Sequence, residues 1–102
     1  MAVATPGHTP GHISVICVDD SGRHVMLAGD TSDSLEQLHA LRADAVAPKA
    51  KVHVGTMKTI LAHCAEHPTI YLPSHDPESA ARLANGITVG CKVVASETPV
   101  GV

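Results

Sequence analysis

Thr5-Pro6-Gly7-His8-Thr9-Pro10-Gly11-His12, running straight into Ile13-Ser14-Val15-Ile16-Cys17-Val18, is the stretch on which the fold turns. Two Pro-Gly pairs forbid regular structure across the first half. The second half is β-branched and nearly all apolar, so it reads as a strand buried over most of its length. A loop that ends on a buried strand holds its histidines at the rim of a sheet. Two further segments repeat that logic. Val25-Met26-Leu27-Ala28 is the returning strand of a hairpin whose turn is Asp19-Asp20-Ser21-Gly22, and Gly29-Asp30-Thr31 ends it. Thr69-Ile70-Tyr71-Leu72 is a short strand, and Pro73-Ser74-His75-Asp76 follows it. In each case a His or an Asp stands just past a strand, where open α/β sheets place their sites. Imidazole nitrogens and a carboxylate are a ligand set for zinc and similar divalent ions. His8, Asp30 and His75 are therefore the candidate metal ligands, with Asp30 also the candidate catalytic group. His12, at the start of the buried strand, is given a supporting role behind the ligands.

Between and around these strands the spacing predicts helices. Asp33-Ser34 caps a short helix over Leu35 to Arg42, with Leu35, Leu38 and Leu41 on one face. A longer helix runs from Ala50 to Glu66, with Met57, Ile60, Leu61 and Cys64 in the i, i+3, i+4, i+7 pattern, and Pro68 stops it. Asp76 is expected to cap a last helix that starts at Pro77 and ends at Asn85-Gly86. Ala2 to Ala4 is a short strand, and Ile87-Val89 and Lys92-Ala95 read as β-like pieces of a tail. The expected organisation is one half-domain over residues 1–86 and a tail over 87–102. His39, His53, His63 and His67 fall in helical segments and carry no assigned function, and His24 is taken as solvated.

Composition narrows the function classes. The chain has 102 residues, 44% of them apolar, yet lacks Phe and Trp and has Tyr71 as its single aromatic. A small core without large aromatic side chains has a thin stability margin, which points to packing against something else. The formal charge of −3 and the lack of a basic stripe argue against nucleic acid as a partner. No apolar run approaches the roughly 20 residues that span a bilayer, and residues 1–5 do not read as a signal peptide. Three widely spaced cysteines without a C-x-x-C pair fit reduced thiols in the cytoplasm.

The three motifs, in this order and spacing, resemble the C-terminal half of the metallo-β-lactamase superfamily. The Thr5–His12 segment is similar to its third metal motif, Ala28-Gly29-Asp30-Thr31 to the motif of its bridging carboxylate, and Leu72-Pro73-Ser74-His75-Asp76-Pro77-Glu78 to its last histidine motif. The resemblance implies an α/β (α+β) fold, half of an αββα sandwich with one mixed sheet and its covering helices. It implies a metal-dependent hydrolase that opens a lactone or ester, with the N-acyl homoserine lactonase branch the most similar and glyoxalase II relatives an alternative. By the resemblance, His8 binds one metal, Asp30 bridges and His75 binds the second. The cofactor would be two Zn2+, with Fe, Mn or Co compatible. The family's H-x-H-x-D-H motif does not occur in this sequence, and Asp33 stands where lactonases of this kind often carry a tyrosine. The expected partners are therefore a small-molecule lactone or ester and either a second copy or a complementary half. The rival reading is a non-catalytic metal-binding or assembly fragment with an incomplete site.

Overall fold

The computed structural model describes residues 1–43 and 49–89. Four strands form one sheet in the order β1 (Ala2–Ala4), β2 (Ile13–Val18), β3 (His24–Gly29), β4 (Thr69–Pro73). The first three pair antiparallel, and β4 joins β3 in parallel. The sheet is mixed, as expected, because the β3–β4 connection crosses over through two helices, α1 (Leu35–Ala40) and α2 (Ala50–Glu66). A third helix, α3 (Ser79–Asn85), packs on β4.

Strand register explains the core. Ile16 lies opposite Met26, and Met26 opposite Tyr71, so these three side chains form a row on one face. That row packs with Met57, Ile60 and Cys64 of α2 and Leu38 of α1. Each fully buried Leu or Met contributes about 1.5–3 kcal/mol. The opposite face carries Ile13 and Leu27, 58% and 50% exposed, together with exposed Cys17.

Helix α2 has the bounds that its periodicity predicts. Two other helices differ. Helix α1 stops at Ala40, because Leu41 turns into the left-handed region (φ 54°) and its N–H closes onto Leu38 O. Helix α3 begins at Ser79 rather than Pro77. The Asp76 carboxylate accepts the Glu78 N–H at 2.9 Å and its carbonyl accepts the Ser79 N–H, which makes residues 76–79 a turn before the helix. Gly86 ends α3 in the left-handed region, as anticipated. Residues 87–89 form no strand, although Val89 is buried in the core and its N–H donates to Thr69 O at 2.7 Å. The Lys92-Ala95 expectation, with residues 90–102 of the tail, lies outside the described residues.

The two described cysteines are free and differ in environment. Burial pushes the Cys64 thiol up to about 11, so it stays protonated and unreactive. Iodoacetamide at pH 8 is expected to modify Cys17 in the folded protein and to reach Cys64 only after unfolding. Peptide mass mapping at the two positions checks this.

Candidate metal centre

Strand direction brings the three motifs to one rim. Because β3 and β4 are parallel, their C-terminal ends, which carry Asp30 and His75, lie side by side. Because β2 runs antiparallel to both β1 and β3, the loop between β1 and β2, which carries His8 and His12, reaches the same rim. His8 Nε2 lies 3.6 Å from Asp30 Oδ2, and His75 Nε2 lies 3.1 Å from Asp30 Oδ1. The His75 approach is off the line that a hydrogen bond requires: Oδ1 is buried and has no hydrogen-bond partner. A buried carboxylate oxygen without a donor costs stability unless something positive completes it. Two imidazoles facing one carboxylate, with that oxygen left over, are a donor set that suits a divalent cation. The set is open rather than caged. His75 is 71% exposed, and among the described residues no group of three or more His, Cys, Asp or Glu side chains is so placed that it could hold a metal ion without moving.

The Asp30 turn is fixed from behind by one ordered chain of hydrogen bonds. His12 Nε2 accepts the Asp30 N–H at 2.9 Å. The neutral ring must then carry its proton on Nδ1, which lies 2.9 Å from Thr5 Oγ1. The Thr5 hydroxyl is left to donate to Ser14 Oγ at 2.8 Å, and Ser14 donates to Ala28 O at 3.3 Å. Thr5 and Ser14 are both buried, so the chain is shielded from water. Gly29 is required here: its φ is +59°, and a Cβ would sit 2.7 Å from His12 Nε2. Replacing His12 with Ala is expected to lower unfolding free energy by about 1–3 kcal/mol, since it leaves the Asp30 N–H without its acceptor. Urea unfolding measures it.

The first turns of α2 clamp the same region. Thr56 donates to Pro6 O at 2.5 Å, and Gly7 sits so close to the helix that a Cβ would lie 2.6 Å from His53 Cα. His53, 1% exposed, donates from Nε2 to Thr31 O at 2.7 Å. Tyr71 Oη stands 2.5 Å from Thr31 Oγ1 and 2.7 Å from Ser32 Oγ. Burial pushes the Tyr71 phenol above its usual range, so it remains a donor. The His75 loop is tethered by Asp76, whose carboxylate pairs with Arg82 Nη2 at 2.7 Å while Arg82 Nε donates to Tyr71 O at 3.0 Å. Burial alone would raise the Asp76 carboxyl, but the Glu78 N–H and the Arg82 guanidinium outweigh it and hold the group below the usual carboxylate range.

The structure thus brings His8, Asp30 and His75 together and sets His12 directly behind Asp30. His53, Thr56 and Arg82 were not singled out from sequence. For His53 a signal existed: positions 53, 57, 60 and 64 share one helical stripe, so His53 lies in phase with the apolar face.

Comparison with known proteins places this architecture. A solved N-acyl homoserine lactone hydrolase, with its product N-hexanoyl-L-homoserine bound at the catalytic metal centre, matches 78% of this chain with a TM-score of 0.67 at 22% identity. The hydrolase AbOPH of the β-lactamase superfamily matches 76% with a TM-score of 0.64 at 25% identity. The fold is that of the metallo-β-lactamase superfamily. The probable metallo-hydrolase YflN of Bacillus subtilis is 47% identical over 53 residues, which are 52% of this chain. No family profile matches the sequence. The chain covers 18% of YflN, 32% of the lactone hydrolase and 27% of AbOPH, so the metallo-β-lactamase architecture is present here in part.

Proposed function

We propose that this chain is the C-terminal, metal-holding portion of a metallo-β-lactamase-fold hydrolase that opens a lactone or ester, with N-acyl homoserine lactones the leading substrates. The observation that carries this reading is the Asp30 carboxylate between two imidazoles, His8 at Oδ2 and His75 at Oδ1, with the buried Oδ1 accepting no hydrogen bond. His8 and Asp30 would hold one divalent ion, and Asp30 and His75 a second, with zinc the default and Fe, Mn or Co compatible. Bound there, such ions polarise a substrate carbonyl and lower the proton affinity of water. This chain's own residues set the geometry. The His12–Thr5–Ser14 chain fixes the Asp30 backbone, α2 clamps the His8 loop, and the Asp76–Arg82 pair holds the loop that ends in His75. The exposed apolar face carrying Ile13 and Leu27 calls for a facing layer, from a second copy or a complementary half. No helix among the described residues is long and apolar enough to cross a membrane. The cytoplasm suits the free thiols of Cys17 and Cys64.

The openness of the donor set supports a second reading, a metal-binding or assembly fragment without turnover. Proton release from N-hexanoyl-homoserine lactone by the Co2+-loaded chain separates the two. Ring opening that disappears in Asp30→Ala is the expected result. One bound ion with no ring opening selects the fragment.

A further inference from the structure

Strand β1 is the outer strand of the sheet and pairs only with β2. Met1 and Ile16 exchange backbone hydrogen bonds of 2.8 Å, and the Thr5 N–H donates to His12 O at 2.9 Å. Hydrogen-bonded pairs alternate along an antiparallel ladder, so Met1, Val3 and Thr5 turn their backbone groups to β2. Ala2 and Ala4 turn their N–H and C=O groups outwards, and none of these has a partner among the described residues. Alongside this edge a groove of about 510 Å³ separates the sheet from α2. Val3, Ile16 and Met26 line it from the sheet, and Val52, Gly55 and Ile60 from the helix. We propose that this groove takes an extended peptide strand of another polypeptide, aliphatic at alternate positions and acidic where it passes α2, added to the edge of β1.

Backbone, side chains and charge each select that occupant. An alkyl ligand would fill the groove but leave the outward groups of Ala2 and Ala4 to water. A strand pairs with them and sends every second side chain into the groove. Those side chains share the sheet face of Val3, which packs against the core, and they meet Ile16, Met26 and Ile60, so aliphatic residues suit them. Room exists on the helix side, because a Cβ on Gly55 would have no atom within 4 Å. Lys51, Gly55 and Lys58 share one helical face by their i, i+4, i+7 spacing, and Lys49 stands just before the helix. All three lysines are exposed, and α2 carries no acidic residue before Glu66. The start of the helix adds partial positive charge. Acidic side chains on the incoming strand complement this flank. The chain's own β1 is Ala-Val-Ala and lacks that complement, which favours a different polypeptide over a second copy.

The groove stands apart from the metal reading, and so does its test. The 15N-labelled chain is titrated in chelator with the acetylated, amidated peptide Glu-Glu-Val-Thr-Val-Thr, and with Lys-Lys-Val-Thr-Val-Thr as the charge control. Saturable binding of the acidic probe is expected, with the Ala2 and Ala4 amide protons moving downfield as they become hydrogen-bonded. Gly55→Leu fills the groove at a position where the helix gains propensity. It is expected to raise the thermal midpoint while weakening the acidic probe at least about tenfold, as closing a binding pocket does. Lys51→Glu combined with Lys58→Glu is expected to weaken the acidic probe about tenfold and to strengthen the basic one. Unchanged binding in Gly55→Leu, equal binding of the two probes, or Ala2 and Ala4 amides that stay put at saturation overturns the proposal. Absence of binding at millimolar peptide does the same. A dimer that shifts these amides as chain concentration rises, without peptide, also overturns it, because a second copy is then the occupant.

Discussion

Replacing Asp30 with Ala is expected to remove divalent metal from the rim formed by β3 and β4 while making the metal-free protein slightly more stable. The two effects have opposite signs for one reason. Asp30 Oδ1 is buried and accepts no hydrogen bond, so without an ion it is a cost. Deleting it relieves about 1 kcal/mol of that cost, at the low end because the side chain is 34% exposed overall. With an ion present the same oxygen is the central ligand, and His8 and His75 alone do not close a site. Metal affinity at this rim should fall by at least about a hundredfold, beyond the 10–100-fold typical of losing a group behind a ligand. Urea unfolding in chelator measures the first effect. Metal analysis after gel filtration measures the second. A variant that is destabilised without metal and still retains its ion at this rim would show that Asp30 serves packing alone.

The largest stability loss is expected from Arg82→Met. The Arg82 and Asp76 side chains are 9% and 3% exposed, with the guanidinium 2.7 Å from the carboxylate. Removing one partner of a buried pair strands the other charge, at about 3–5 kcal/mol. Native domains hold about 5–15 kcal/mol in total, and a chain this small sits towards the bottom of that range. Arg82→Met should therefore be largely unfolded or strongly destabilised. Asp76→Asn added to it should restore part of the loss, because no stranded charge remains. Equal destabilisation in the single and double variants would mean that Arg82 acts through its bond to Tyr71 O rather than through Asp76.

Strong local signals in the sequence translate directly into structure. The apolar stripe of α2 and the proline beyond it mark both ends of the helix. The β2–β3 hairpin follows from a turn cluster between a β-branched run and a second apolar run. Each of His8, Asp30 and His75 lies past a strand, and parallel pairing of β3 with β4 is what turns three such positions into one rim. Features that depend on distant partners were not legible. Helix α3 starts two residues late because Asp76 is drawn into a turn and a pair with Arg82. Leu41 ends α1 at positive φ without a glycine to announce it. His53 reads as one more helical histidine until the Thr31 carbonyl is seen beside it. His24, expected to be solvated, is half-buried with Nδ1 2.9 Å from His63 Nε2, because the start of β3 lies beside the end of α2.

The central claim is that Asp30, with His8 on one side and His75 on the other, holds divalent metal at this rim. Anomalous diffraction at the zinc edge from crystals grown with Zn2+ tests it most directly. A peak about 2.0–2.2 Å from His8 Nε2 or His75 Nε2 and from an Asp30 oxygen is expected. Density that is absent there, with Asp30 Oδ1 satisfied by water or protein instead, would contradict it.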